Sequence, residues 1–196
     1  QYHMVGEPAY SFWVYEQVYD ASGNPVEGQY VDQNADGKID DSDKIIFHSP
    51  EPKWTMSWNN NFNYKGFDLG FTLRANFGNY VYNNHKYERT RPVNNLYGYQ
   101  LNNLLNDSYL FTSVAPSPLS SYYVENASFL RCDNITLGYT WDNILYDGFR
   151  LRLYGAVQNP FVITKYKGLD PEVFSGIDNN CYPNPTTWTV GVVATF

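Results

Sequence analysis

The sequence predicts an all-β protein, an antiparallel sheet of long strands belonging to a transmembrane β-barrel. Three observations predict it: a composition rich in aromatics and poor in charge, long runs of alternating apolar and polar residues, and connections that alternate between short and long. Of 196 residues, 18% are aromatic, with 19 Tyr, 12 Phe and 5 Trp, and only 17% are charged. Aromatic and β-branched side chains suit a pleated surface, whereas a helical bundle would draw on Ala, Leu, Glu and Lys.

Taken in chain order, residues 9–17 alternate weakly and are a further strand or part of a loop. Residues 28–47 carry an Asp-rich insert. From Trp54 the even positions read Trp54, Met56, Trp58, Asn60, Phe62 and Tyr64, up to a two-residue turn at Lys65 and Gly66. From Phe67 the odd positions read Phe67, Leu69, Phe71, Leu73, Ala75 and Phe77, while Asp68, Thr72, Arg74 and Asn76 fall between them. Strict period two over such lengths is the signature of a strand with one apolar face, and each arm exceeds the roughly 5–6 residues of an ordinary globular strand. Residues 79–124 form a long loop. The next strand is expected over 127–141, with Phe129, Ile135, Leu137, Tyr139 and Trp141 on one face. A short link, 142–148, leads to Phe149, Leu151, Leu153 and Val157, alternating with Arg150, Arg152, Tyr154 and Gln158. A second long loop follows at 160–185, and the last strand sets Trp188, Val190, Val192, Ala194 and Phe196 against Thr187, Thr189, Gly191 and Thr195.

The mean hydropathy is −0.50, and no apolar run reaches the ~18 residues of a membrane-crossing helix. Neither argues against a barrel, in which only alternate residues meet lipid. Short turns at 65–66 and 142–148 alternating with long loops match the asymmetry between periplasmic turns and extracellular loops. With the end of the last strand taken as periplasmic, every connection length agrees. Five or six strands leave open edges, which hydrocarbon does not tolerate, so further strands are expected outside this chain. It begins at Gln1 without a signal peptide, as an internal or processed piece would. The net charge of −7 argues against nucleic acid, which needs clustered Lys and Arg.

The sharpest local motif runs from Asp32 to Asp43. It places oxygen donors at Asp32, Asn34, Asp36 and Asp40, a backbone carbonyl at Lys38 and a glycine at Gly37, in the order of a twelve-residue calcium loop. Asp43 stands at the last position instead of the usual Glu, and its shorter arm weakens bidentate ligation. A structural Ca²⁺ is the expectation; the alternative is an acidic, hydrogen-bonded turn holding water or Na⁺. The polar set Arg74, Asn76, Arg150, Arg152, Tyr154 and Gln158 falls opposite the apolar stripe, where internal ion pairs or plug contacts are expected ahead of substrate contact. The Tyr- and Asn-rich loop, with Tyr80, Tyr82, Tyr87, Tyr97, Tyr99, Tyr109, Tyr122 and Tyr123, suits substrate stacking, a protein interface or its own packing. Phe196 resembles a terminal assembly signal or a girdle aromatic. Cys132 and Cys181 are separate thiols or a disulfide. His3, His48 and His85 are scattered, and no nucleophile–base arrangement or placeable carboxylate pair suggests an enzyme.

Five stretches together resemble the C-terminal portion of the SusC/RagA family of TonB-linked outer-membrane proteins of Bacteroidota. They are YVDQNADGKIDDSDK from Tyr30, PEPKWTMSWNNNFNYKGFDLGF from Pro50, ENASFLRCDNITLGYT from Glu125, VQNPFVITKYKGLDPEV from Val157 and YPNPTTWTVGVVATF from Tyr182. The resemblance implies the last five or six strands of a 22-stranded barrel in the outer membrane, its plug lying outside this chain. It also implies a SusD-like surface lipoprotein as partner, TonB as the energy source, and an oligosaccharide or oligopeptide as cargo. The rival from another class is a secreted, calcium-dependent carbohydrate-binding β-sandwich. That rival requires Phe71, Leu137, Leu153 and Val192 to be buried between two sheets.

Overall fold

The computed structural model describes residues 1–90, 104–179 and 182–196. In chain order its elements are β1 (Trp13–Tyr15), β2 (Gln17–Tyr19), β3 (Pro25–Tyr30), β4 (Lys44–Ile46), β5 (Trp54–Tyr64), β6 (Phe67–Phe77), β7 (Tyr80–Asn83), α1 (Asn84–Arg89), β8 (Val124–Asn126), β9 (Phe129–Asp142), β10 (Arg150–Thr164), β11 (Ile177–Asp178) and β12 (Thr187–Thr195). Short 3₁₀ turns lie at Asp41–Asp43, Asn106–Leu110 and Ser121–Tyr123. The chain divides into two compact units. One comprises Lys53–Phe77, Ser128–Lys165 and Pro183–Phe196; the other comprises Gln1–Pro52, Gly78–Ala127 and Tyr166–Tyr182.

The first unit is a single antiparallel sheet with strand order β12-β10-β9-β6-β5. Lys65 and Gly66 turn the β5–β6 hairpin with φ of 47° and 87°, the paired positive φ of a type I′ turn. The register then builds the faces that the alternation promised. Asn60, Phe71, Ile135, Val157 and Trp188 form one cross-sheet row; Phe62, Leu69, Leu137, Gly155 and Val190 form the next; Tyr64, Phe67, Tyr139, Leu153 and Val192 the one after. Asn60 is the polar exception on these rows, and its Nδ2 is buried without a hydrogen-bond partner among the described residues.

Phe129 departs from the expected face. Asp133 is an extra residue in β9, since Asn134 pairs with Thr72 but Cys132 pairs with Leu73. Opposite it, β10 passes through Asn159 and Pro160 before Phe161 pairs with Cys132. Asn159 has φ of 49°, and Pro160 has no N–H to give the ladder, so the irregularity falls where pairing is already weakest. One extra residue reverses the period-two phase, as any one-residue slip does. Leu130 and Cys132 therefore continue the apolar rows, while Phe129 and Arg131 share a face with Asn76 and Arg74. Beyond the bulge β10 continues to Thr164, so residues 160–164 belong to the sheet and not to the loop expected to start there.

The stacked-sheet alternative fails on this unit. Leu137, Leu153 and Val192 are 54%, 45% and 64% exposed, and the unit has one sheet. An uncovered face of this extent on a soluble body would be an aggregation hazard. The strand length fits lipid instead. Eleven residues in β5 at ~3.3 Å each, tilted by ~45°, rise about 26 Å, close to the ~25 Å apolar band of outer-membrane barrels.

The second unit is built of small sheets: β1 with β4, β2 with β3, and β11-β7-β8. Residues 9–17 thus supply β1, a partner of β4 and not a sixth long strand. Its cores are local. Phe12, Val14 and Val124 form one; Phe111, Tyr122 and Tyr123 a second; Val81, Ala127 and Tyr166 a third.

Candidate wall and loop sites

The polar face of the five-stranded sheet is organised by ion pairs. Arg152 in β10 reaches over β9 to Asp68 in β6, with Nε–Oδ1 at 3.0 Å and Nη2–Oδ2 at 2.6 Å. The strand between them offers Gly138, where a Cβ would stand 2.5 Å from Asp68 Oδ1 and 2.7 Å from Arg152 Nη2. The missing side chain is the room the pair occupies. Arg74 binds the bulged Asp133 with two bonds, 3.1 and 3.2 Å, and the Phe129 ring lies 6.0 Å from the Arg74 guanidinium and 5.6 Å from that of Arg131. Arg150 pairs with Asp142 at 2.9 Å. Tyr154 lies against Arg152, 4.8 Å from ring centroid to guanidinium.

Each positive charge of the expected polar set therefore has a carboxylate partner, in line with internal ion pairing. Asn76 and Gln158 share this face by register, opposite Phe129 and Asn134. None of the three carboxylate partners, Asp68, Asp133 and Asp142, was identified as such from the sequence. Asp133 carried only one signal, its interruption of the alternation in 129–141, and Asp68 gave no sign that it would reach across a whole strand. Asn59, Asn61 and Asn63 continue the face on β5, and with Asp68, Thr136 and Arg152 they border a hollow of about 460 Å³.

In the other unit, residues 32–43 fold into a turn whose acidic side chains bind their own backbone. Asp32 accepts the Ala35 N–H at 2.7 Å and the Gly37 N–H at 2.8 Å. Asn34 accepts from Asp36, and Asp36 from Lys38. Asp40 accepts from the Ser42 N–H, and Asp43, fully buried, accepts from Gln33 at 2.9 Å and Asp40 at 2.8 Å. The Asp40 N–H foremost, helped by Gln33, holds the Asp43 carboxyl below the usual carboxylate range. Gly37 turns at φ 80°. All six residues of the expected ligand set, Asp32, Asn34, Asp36, Lys38, Asp40 and Asp43, thus lie in one turn. Among the described residues, no three His, Cys, Asp or Glu side chains gather as a metal-binding group. What the geometry displays is a self-capped turn, its side-chain oxygens accepting backbone N–H groups of the same loop.

The tyrosine-rich segment is partly its own core. Tyr122 and Tyr123 are buried, with Tyr82 and Tyr87 packed against them, while Tyr109 is 78% exposed. Burial pushes the phenols of Tyr82, Tyr122 and Tyr123 up. Lys86 is buried among these groups, with Nζ 3.8 Å from the Tyr122 ring centroid, 3.2 Å from Glu125 and 3.4 Å from Asp107. Glu27 ties residues 112–113 down: the Thr112 and Ser113 backbone N–H groups and hydroxyls all donate to its carboxylate. Those backbone bonds hold the Glu27 carboxyl low. Tyr97 and Tyr99 lie outside the described residues. So does Cys181, and with it the question of pairing to the buried Cys132, which has no disulfide partner among the described residues.

Comparison with known proteins gives these faces a context. The TonB-dependent receptor SusC of Bacteroides thetaiotaomicron is 44% identical over 210 residues, a match spanning 100% of this chain. The chain belongs to the SusC/RagA family of TonB-dependent outer-membrane proteins. It corresponds to the C-terminal portion and spans 20% of SusC. Two further matches, TonB-dependent receptors P3 and P26 of Formosa agariphila, are each 29% identical, over 95% and 94% of the chain and 22% and 21% of their own lengths. Among solved structures, the RagAB peptide importer in its closed-closed state matches with a TM-score of 0.70 at 25% identity, over 95% of this chain and 23% of that one. The open-open state shares the fold, with a TM-score of 0.72 at 22% identity, over 100% of this chain and 24% of that one. No family model matches the chain. The SusC/RagA relatives are receptors and importers, not enzymes, and the five-stranded antiparallel sheet is a segment of such a barrel.

Proposed function

We propose that this SusC/RagA segment forms wall and extracellular loops of an outer-membrane transporter that imports glycan or peptide nutrients with a SusD-like lipoprotein. TonB, engaged outside this chain, supplies the energy. One observation carries the reading: a five-strand ladder holds apolar side chains on one side and keeps its charges, paired, on the other. In a barrel the first face meets lipid and the second a wet interior. RagAB is a peptide importer, and the family resemblance implies glycan or peptide pieces alike, so the cargo is taken as an oligomer of either kind. The small-sheet unit, with the long loops, stands at the cell surface in this reading. The test is growth of a strain lacking the receptor, complemented with the intact gene, on an oligosaccharide or an oligopeptide as the limiting nutrient. Growth restored on one of them, and lost again when the SusD-like gene is deleted, supports the proposal. Restoration on neither refutes it.

Residues 32–43 are proposed to hold Ca²⁺ through Asp32, Asn34, Asp36, Asp40 and Asp43, with the Lys38 carbonyl. The support is the order of oxygen donors, the left-handed Gly37 at the sharp turn, and the second lone pair left on each carboxylate oxygen that accepts a single N–H. When bound, Ca²⁺ would offset the mutual repulsion of Asp32, Asp36, Asp40, Asp41 and Asp43. Protease protection of the loop in the whole receptor, measured with Ca²⁺ and with EGTA, checks it. Equal cleavage in both, and in Asp32→Ala, means the turn is stabilised by its own hydrogen bonds alone.

A further inference from the structure

The outer apolar face of the five-stranded sheet does not stop where β9 and β10 end. Residues 143–149 join these strands, and Ile144, Leu145 and Tyr146 stand 49%, 72% and 53% exposed in the link. Turns are normally made of Gly, Pro, Asn, Asp and Ser, so three successive exposed apolar side chains need a reason. The link is not a frayed end. Asn143 N–H donates to the Phe149 carbonyl at 2.8 Å, Phe149 N–H to the Tyr146 carbonyl at 3.1 Å, and Gly148 N–H to Asn143 Oδ1 at 2.9 Å. The backbone is closed, and the apolar side chains are presented outward from it.

A chain of rings ties the link to the sheet. Tyr146 lies 5.5 Å from Phe149, centroid to centroid, and Phe149 lies 5.6 Å from Phe196. Phe149 precedes Leu151 and Leu153, and Phe196 follows Ala194, on the same face by register. Trp141, edge-on to Tyr139 with ring centroids 4.6 Å apart, closes the row beside them. The nearest charged pair, Asp142 with Arg150, takes the opposite face. The patch is thus continuous with the surface that the proposed function places in lipid, and on that reading the present inference rests.

We propose that Ile144, Leu145 and Tyr146 form an interfacial membrane anchor, inserting into the leaflet at the turn end of these strands. Their apolar side chains would sit at the edge of the acyl region with the Tyr146 hydroxyl among head groups, as amphipathic aromatics do at membrane interfaces. The anchor would set the depth at which this part of the wall rides.

The test uses the whole receptor with Cys132 and Cys181 replaced by alanine. Single cysteines are introduced as Leu145→Cys, Leu153→Cys or Asp147→Cys, labelled with an environment-sensitive fluorophore, and the receptor is reconstituted into phosphatidylcholine vesicles. The expected result is that the probe at 153 is quenched by brominated lipid and not by aqueous iodide. The probe at 145 is quenched by lipid brominated near the head group and emits to the blue of the probe at 147. If the probe at 145 follows 147 into iodide while 153 stays lipid-quenched, the anchor is refuted and the membrane reading survives. If 153 is quenched by iodide, the membrane reading itself fails. Should the Leu145→Cys receptor not fold, Ile144→Cys carries the same expectation and the same refutation.

Discussion

Gly138 gives the sharpest mutational test of how the inner face of the wall is built. An alanine methyl there would stand 2.5 Å from Asp68 Oδ1 and 2.7 Å from Arg152 Nη2, about 1 Å inside ordinary contact. Both obstructing atoms end side chains, so the backbone keeps its ladder and the ion pair moves. Its two bonds, at 3.0 and 2.6 Å, join side chains that are 32% and 28% exposed. The pair is therefore screened, and its loss alone costs under about 1 kcal/mol. Repacking a crowded site adds about 1 kcal/mol, so Gly138→Ala should destabilise by about 1–2 kcal/mol. Gly155, in the neighbouring strand, has nothing within 4 Å of its would-be Cβ, and alanine there should be neutral or stabilise by up to about 1 kcal/mol. The assay is urea unfolding of the whole receptor in lipid vesicles, followed by tryptophan fluorescence. In a double-mutant cycle, Asp68→Ala should remove most of the Gly138→Ala cost, because the obstructing carboxylate is gone. Equal effects of alanine at 138 and 155, or no coupling to Asp68, would refute the reasoning.

Three further outcomes are expected. On the outer face, Leu137→Arg should cost about 2–4 kcal/mol in the same assay, against about 0–1 at Trp54 near the end of the sheet, because the cost of charge falls from bilayer centre to interface; equal costs would contradict a lipid-facing wall. The Asp43 carboxyl is held low in the folded loop, so its contribution to stability is present above the ordinary carboxylate range and lost as pH falls through the depressed value. Amide exchange at Gln33 and Asp40, corrected for intrinsic rates, should accelerate only below that range, and Asp43→Asn should remove the transition. Lys86→Met leaves Glu125 and Asp107 without their buried cation, which should destabilise the local structure by about 3 kcal/mol, read as faster hydrogen exchange over 84–89 and 121–126.

The two faces of the wall were legible in the sequence because period two is a local property. Trp58, Phe62, Phe67, Leu69, Leu153 and Val192 announce their side by their neighbours alone, and the structure keeps them there. Phe129 was not legible. Its face depends on the bulge at Asp133, a feature shared between strands that no spacing within one strand reveals. The ligand-type order of residues 32–43 was readable for the same local reason, since Asp32, Asn34, Asp36 and Asp40 bond the backbone two to five positions away. Which residues share an ion pair was not. Asp68 and Arg152 are 84 apart in sequence and meet only because β9 lies between β6 and β10 and carries a glycine at the crossing. Sequence by itself therefore determined strand type, facing and turn chemistry, which short-range sterics and burial dictate. Tertiary structure decided phase, charge partners and the fate of the tyrosines, because these depend on how separate strands and loops come into register.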